Sequence, residues 1–299
     1  MADQLIRATA ADHGIRAVGV ITTRAVEQAR QLHGLSYVAS AALGRAMSSG
    51  LILVSSMKRE GSRVNLRIQG DGPLGGLIVD ARLDGTVRGY VKNPKVELPP
   101  NAKGKLDVGG AIGRNGYLYV IRDLGYGFPY SSTVELVSGE VGDDVASYLL
   151  NSEQTPSALL VGVFVGAEGV TASGGLLLQI LPKAAEEPKL VELLESRVSA
   201  LTGFTPLLQQ GATLPEMLHN LLGDLGLNIL PEVQMIRYHC GCTMERMLGA
   251  LKMVGATELQ DMIETDGGAE ATCHFCNTVY RADPDHLRRL ITEIAAESS

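Results

Sequence analysis

The chain has no tryptophan, and its aromatic residues make up only 4% of 299 positions. So few rings leave little on which to stack bases, which argues against a platform for single-stranded nucleic acid. Long apolar runs are missing as well. The longest, ALLVGVFVGA at 158–167, falls well short of the roughly 20 residues that cross a bilayer as a helix. The opening segment, MADQLIRATAADHG, lacks the basic stretch and apolar core of a secretory signal. The cytoplasm is therefore the expected location, and no membrane partner is expected. The histidines include no H-x-x-x-H pair, and no G-x-S-x-G elbow occurs. Residues 1–182 hold no recognisable catalytic constellation. Cysteine is absent from the first 239 residues.

What is present suits a substantial core: 45% of residues are apolar, with 35 glycines for tight turns. The length predicts one large domain and something smaller. Charge is unevenly spread. Residues 1–182 carry 17 Lys and Arg against 16 Asp and Glu, residues 183–232 carry 3 against 7, and residues 233–299 carry 6 against 10. An acidic C-terminal region is poorly suited to meeting phosphates, so nucleic acid is not an expected partner.

The pattern predicts an α+β chain: a mixed core domain with an antiparallel sheet over 1–182, a helical linker over 183–232 and a small metal-binding domain over 233–299. In the core, IRAVGVIT (15–22) and RVNLRIQG (63–70) read as strands. GGLIVDARLDGTVRGYV (75–91) reads as two strands about an Asp84-Gly85 turn. YLYVIRDLG, STVELVSG (132–139), SALLVGVFVG and GGLLLQIL continue the strands. YVASAALGRAMSSGLILVSSM (37–57) reads as a long buried helix and GDDVASYLLNSEQ (142–154) as a short one. Asp143 and Asp144 read as acids satisfying amides at a helix start. GDGPLG (70–75) matches the dinucleotide fingerprint G-x-G-x-x-G, but Pro73 interrupts it and a strand follows, so it reads as a turn.

After a break at 181–190, KLVELLESRVSAL (189–201) places Leu190, Leu193, Leu194, Val198 and Leu201 on one helical face. TLPEMLHNLLGDL (213–225) opens with Thr213 and Glu216 in capping-box spacing. It then aligns Leu214, Met217, Leu218, Leu221, Leu222 and Leu225 at helical period. Faces this apolar need a partner, and the core domain is the expected one.

All four cysteines then arrive together: Cys240 and Cys242 as C-x-C, Cys273 and Cys276 as C-x-x-C. In a reducing compartment such a cluster predicts a metal site or a redox device. Four thiolates suit tetrahedral zinc, with iron–sulfur as the alternative; a helix over 243–255 fills the loop between the pairs. His239 and His274 adjoin ligand cysteines without being needed as ligands. A zinc that only staples a small domain is the plainer reading. Thiolates, however, are also the form that oxidants attack, and losing the metal would undo a domain this small.

This cysteine pattern resembles that of the 33-kDa heat shock protein family, the bacterial redox-regulated holdase chaperones. SAALGR (40–45), GPLGGLIVDA (72–81), GYVKNP (89–94), GKLDVGGAIGRNG (104–116), VSGEVGDD (137–144), SEQTPSA (152–158) and HFCN (274–277) extend the likeness along the chain. The resemblance implies one Zn2+ per chain, held by Cys240, Cys242, Cys273 and Cys276, in a nearly inactive reduced form. It implies that oxidants pair Cys240 with Cys242 and Cys273 with Cys276 and eject zinc. The zinc domain and linker then unfold, and the protein, as a homodimer, holds unfolding clients without ATP. Two rivals stand beside it. One is a constitutive binding scaffold with structural zinc. The other is a thiol–disulfide oxidoreductase using Cys273-His274-Phe275-Cys276, which would require a helix to start at the first thiol.

Overall fold

The computed structural model describes residues 2–185, 188–200 and 203–297. Leu201, and Glu186 and Glu187 in the break, lie outside the described residues. The chain divides into two compact units, residues 1–239 and 240–299. The first runs β1 (Gln4–Ala10), β2 (Ile15–Ile21), α1 (Thr23–His33), α2 (Tyr37–Val54), β3 (Arg63–Gln69), β4 (Leu77–Arg82), β5 (Thr86–Val91) and α3 (Val108–Ile112). It continues with β6 (Tyr117–Asp123), β7 (Tyr130–Glu135), α4 (Val141–Asn151), β8 (Ser157–Gly166), β9 (Gly169–Ile180), α5 (Pro182–Ala185), α6 (Pro188–Ala200), α7 (Phe204–Gln209) and α8 (Leu214–Leu222). Three two-residue strands close it: β10 (Asn228–Ile229), β11 (Gln234–Met235) and β12 (Arg237–Tyr238). The fold is α+β.

Two sheets form. Sheet I has the order β10-β1-β2-β9-β8, with β11 also on β1, and every pairing is antiparallel. Sheet II has the order β12-β5-β4-β3-β6-β7, antiparallel except where β12 joins β5. Helix α2 packs against strands of both. It can do so because its surface is small on several sides. A Cβ on Gly44 would meet Val26 and Val163 at 2.7 Å, and Gly50 faces Val79 and Ala81. Its buried Ser40 and Ser48 hydroxyls return to the carbonyls of Ser36 and Gly44, four residues earlier. Among the described residues α2 alone is long and apolar enough to cross a membrane, and 89% of it is buried inside the protein.

Strand alternation gives sheet I two apolar faces. Leu5, Val18, Val20 and Leu177 join the core around α2. Ile6, Ala8, Ala17, Leu176 and Leu178 face a second core, closed by α6, α7 and α8. There Leu214, Met217, Leu218, Leu221 and Leu222 are buried and Leu225 is half-buried. Gly19 lets α8 come close: a Cβ there would stand 3.0 Å from Leu214. On α6, Leu190 and Leu194 are buried, and Val198 packs at the edge. The capping box at α8 is present. Glu216 accepts from the Thr213 amide at 2.8 Å, and the Thr213 hydroxyl accepts from the Glu216 amide at 3.4 Å.

Some elements differ from the sequence expectation. Helix α1 goes unpredicted because its own N-cap, Thr22, makes no side-chain cap bond. Asp3, on the loop before β1, accepts instead from Arg24 and Ala25 at 3.0 and 2.8 Å. The strand expected over 132–139 ends at Glu135, because the amides of Val137 and Ser138 turn to Asp144 at 2.8 and 3.1 Å. Asp144 thus anchors the loop before α4 rather than the helix's own amides. The GDGPLG segment is a turn. The Gly72 and Leu74 amides donate to the carbonyls of Ile112 and Ala111, both at 2.9 Å, and a Cβ on Gly70 would lie 2.2 Å from the Ile112 oxygen.

That clasp on α3 is testable. Gly70→Ala should cost about 1–3 kcal/mol, since backbone rather than a yielding side chain opposes the added methyl. Gly166→Ala, where nothing lies within 4 Å, serves as the control. Urea denaturation should show a lower midpoint for the first variant alone; equal midpoints would contradict the clasp.

Candidate metal centre

The second unit has 60 residues and a small core. Met247, Leu259, Ala282, Leu287 and Leu290 are buried, with a rim of half-buried side chains. Its helices are α9 (Met244–Lys252), α10 (Ala256–Thr265) and α11 (Pro284–Glu297), and its strands β13 (Ala269–Thr272) and β14 (Val279–Ala282) form a hairpin. Sequence reading finds α9. It misses α10, which restarts after Gly255 turns the chain at φ +100°.

Each cysteine pair sits where the backbone is held by local bonds. Cys240 and Cys242 occupy the segment before α9. Thr243 caps that helix by accepting from the Arg246 amide at 3.3 Å, and the Arg246 guanidinium donates back to Gly241 O at 2.8 Å. Cys273 and Cys276 lie on the β13–β14 turn. The Cys276 and Asn277 amides donate to Cys273 O at 3.3 and 2.8 Å, and the Cys273 amide donates to Thr278 O at 3.0 Å. Asn277 adopts φ 56°, the left-handed conformation that asparagine tolerates. No helix begins at Cys273, so the context an oxidoreductase thiol needs is missing.

These two segments bring all four sulfurs within 4.8 Å of one another. Cys240 and Cys273 Sγ are 3.7 Å apart, and Cys242 and Cys276 Sγ 3.2 Å. A tetrahedron of thiolates with metal–sulfur bonds of about 2.3 Å has edges of about 3.8 Å. The donor set therefore fits a tetrahedral metal ion. His239 and His274 are exposed and outside this cluster.

The thiols differ in how readily they carry charge. Burial, followed by the neighbouring thiols, pushes Cys242 up to about 12, although Tyr280 donates to it. Burial raises Cys276 too, but hydrogen bonding to the Thr278 hydroxyl and amide and to the other cysteines brings it down to about 7. One site is thus primed to carry charge while its neighbours resist it, and a bound dication removes that conflict.

Sequence reading misses two residues of the site. Tyr280 donates its hydroxyl to Cys242 Sγ at 3.0 Å, and the Thr278 hydroxyl lies within hydrogen-bond distance of Cys276 Sγ, at 3.2 Å. Thr278 ends the turn and Tyr280 lies on β14, and neither carries a local signal of its role.

The comparisons agree with this geometry. A family model described as Hsp33 protein matches residues 3–283. A "33 kDa chaperonin" of Gloeothece citriformis is 74% identical over 298 residues, covering all of both chains. One of Trichormus variabilis is 72% identical over 299 residues, covering 100% of this chain and 99% of its own. The crystal structure of the 33 kDa chaperonin of Thermotoga maritima superposes with a TM-score of 0.91 at 38% identity, covering 99% of this chain and all of its own. Relatives so alike over their full length, together with the family model, show that the chain belongs to the Hsp33 family.

Proposed function

We propose that the protein is an ATP-independent holdase chaperone switched by the oxidation state of its four cysteines. The observation that carries this is the meeting of all four sulfurs within 4.8 Å in a unit whose own core is too small to fold firmly alone. Cys240, Cys242, Cys273 and Cys276 would hold one zinc ion, which supplies folding free energy and keeps the sulfurs as thiolates. Zinc is favoured over an iron–sulfur cluster because one ion fills a tetrahedron of this size. Tyr280 orients Cys242 by its hydrogen bond.

A two-electron oxidant such as peroxide takes two electrons from each thiolate pair and two protons from solvent, its O–O bond breaks, and the zinc ion leaves as its thiolates are consumed. One S–S bond forms per pair, and the oxidant leaves as water. The pairing proposed is Cys240 with Cys242 and Cys273 with Cys276. Sulfur proximity does not select it, since Cys240 lies 3.7 Å from Cys273 and Cys242 lies 3.2 Å from Cys276, both across the pairs. Release does: a cross-link spanning some thirty residues would hold the loop closed by roughly 3–4 kcal/mol of chain entropy, whereas local disulfides constrain almost nothing. The metal domain, 233–299, then unfolds, followed by the linker, 183–232. The apolar face of sheet I that α6, α7 and α8 cover in the core domain, 1–182, becomes a surface for unfolding client proteins. The active form is a homodimer in the cytoplasm.

Three measurements test this. Reduced protein should contain one zinc per chain, and Cys240→Ser/Cys273→Ser should lose it; retention of most of the metal would sink the four-thiolate assignment. Peptide mapping after peroxide should find the two local disulfides, and Cys242–Cys273 as the major product would contradict the switch. The double variant Leu218→Glu/Leu222→Glu buries two unpaired charges against sheet I, at a cost of several kcal/mol. It should suppress client aggregation while still reduced and zinc-bound, where the wild type does not. Loss of activity after oxidation as well would mean the helix itself holds clients. Wild-type suppression that does not change on oxidation would favour the constitutive scaffold.

A further inference from the structure

Three guanidiniums converge on the C-terminal end of α2. Arg7 donates from Nε to Ser55 O at 3.3 Å and from its terminal nitrogen to Gln234 Oε1 at 3.1 Å. Arg16 donates to Gln179 Oε1 and to Ser55 Oγ, both at 3.3 Å. Arg122 donates to Leu53 O at 3.3 Å and to Ser56 Oγ at 2.8 Å, and pairs with Glu153 at 3.0 Å. The plain role of this cluster is to cap the helix, whose exposed carbonyls carry about half a negative charge. That role leaves the charge unbalanced. Glu153 offsets Arg122, half a charge is met by the helix end, and Arg7 and Arg16 find only neutral oxygens as hydrogen-bond partners. About one and a half positive charges remain.

The excess faces open space. Arg7, Arg16, Ser55, Lys58, Glu232 and Gln234 line a cavity of about 810 Å³. Lys58 and Glu232 cancel in the count, so the excess of about +1.5 stands. Burial and the nearby charges of Arg7 and Arg122 disfavour the charged form of Arg16, so the cluster is held together at an electrostatic cost. Each guanidinium has five N–H donors, and two of Arg7's and two of Arg16's are used by the bonds above. The forked geometry suits oxyanions, and a charge near −1.5 to −2 matches a phosphoryl group better than a single carboxylate.

We propose that this cavity, at the C-terminal end of α2, is a binding site for a phosphoryl dianion, held by Arg7, Arg16 and Lys58. The site lies wholly in the first unit and does not depend on the cysteine reading. The test uses the full-length reduced protein at fixed ionic strength, titrated separately with inorganic phosphate, tripolyphosphate and acetate. Saturable thermal stabilisation and calorimetric binding are expected with phosphate or tripolyphosphate and not with acetate. Stronger binding of tripolyphosphate would mark a chain of phosphates as the source, and equal binding a single phosphate. Lys58 is exposed and caps nothing, so Lys58→Gln should fold as wild type and weaken binding about fivefold. Arg16→Gln should weaken it further. Absence of saturable binding, equal stabilisation by acetate, or undiminished affinity in Lys58→Gln together with Arg16→Gln would overturn the proposal.

Discussion

Sheet I is apolar on both faces, and most of the first unit follows from that constraint. A sheet with one apolar face needs one cover; this one needs two. Helix α2 supplies the first and is so enclosed that its glycines and serines are set by what they touch. The second cover comes from α6, α7 and α8, which arrive after the sheet in sequence. Fully burying each leucine of α8 contributes about 1.5–3 kcal/mol relative to leaving it in water. Removing this cover would expose Ile6, Ala8, Leu176 and Leu178 without touching the packing around α2. A surface that opens while its scaffold stays folded is the physical requirement of a regulated binding protein.

The second unit has the opposite character. Five buried side chains do not make a self-sufficient core, so its order leans on the four sulfurs. The surrounding bonds, from Arg246 to Gly241 and from Tyr280 to Cys242, fix the directions in which those sulfurs point. Such a unit responds steeply to whatever changes its ligands. A larger core would blunt that response.

Legibility in the sequence tracks the range of the interactions. The capping box of α8, the Asp84-Gly85 turn, the strand alternation at 63–70 and the cysteine spacings are all written within a few residues, and each can be read directly. Helix α1 is capped at its start by Asp3 from outside its own segment, so that part of its stabilisation is not written locally, although Gly34 marks its end. Strands β10, β11 and β12 have two residues each, too few to show a period, and they exist only because β1 and β5 offer edges. The end of β7 is decided by Asp144, from the next helix. At the candidate metal centre the four cysteines stand out because cysteine is otherwise absent. Tyr280 does not, because a tyrosine on a strand is ordinary until the fold brings Cys242 to it.

The order of the elements along the chain also sets an order in time. Strand β9 ends at Ile180 and α8 at Leu222, so 42 residues must be made between the last of the four long strands of sheet I and completion of its second cover. At about 5–20 residues per second, a ribosome takes roughly 2–8 s to do so. During that interval the nascent chain holds the four long strands of sheet I with one apolar face still without its helices. Every newly made copy therefore passes through an uncovered form, whatever the state of its thiols, and production of the protein must itself be compatible with a brief period of adhesiveness.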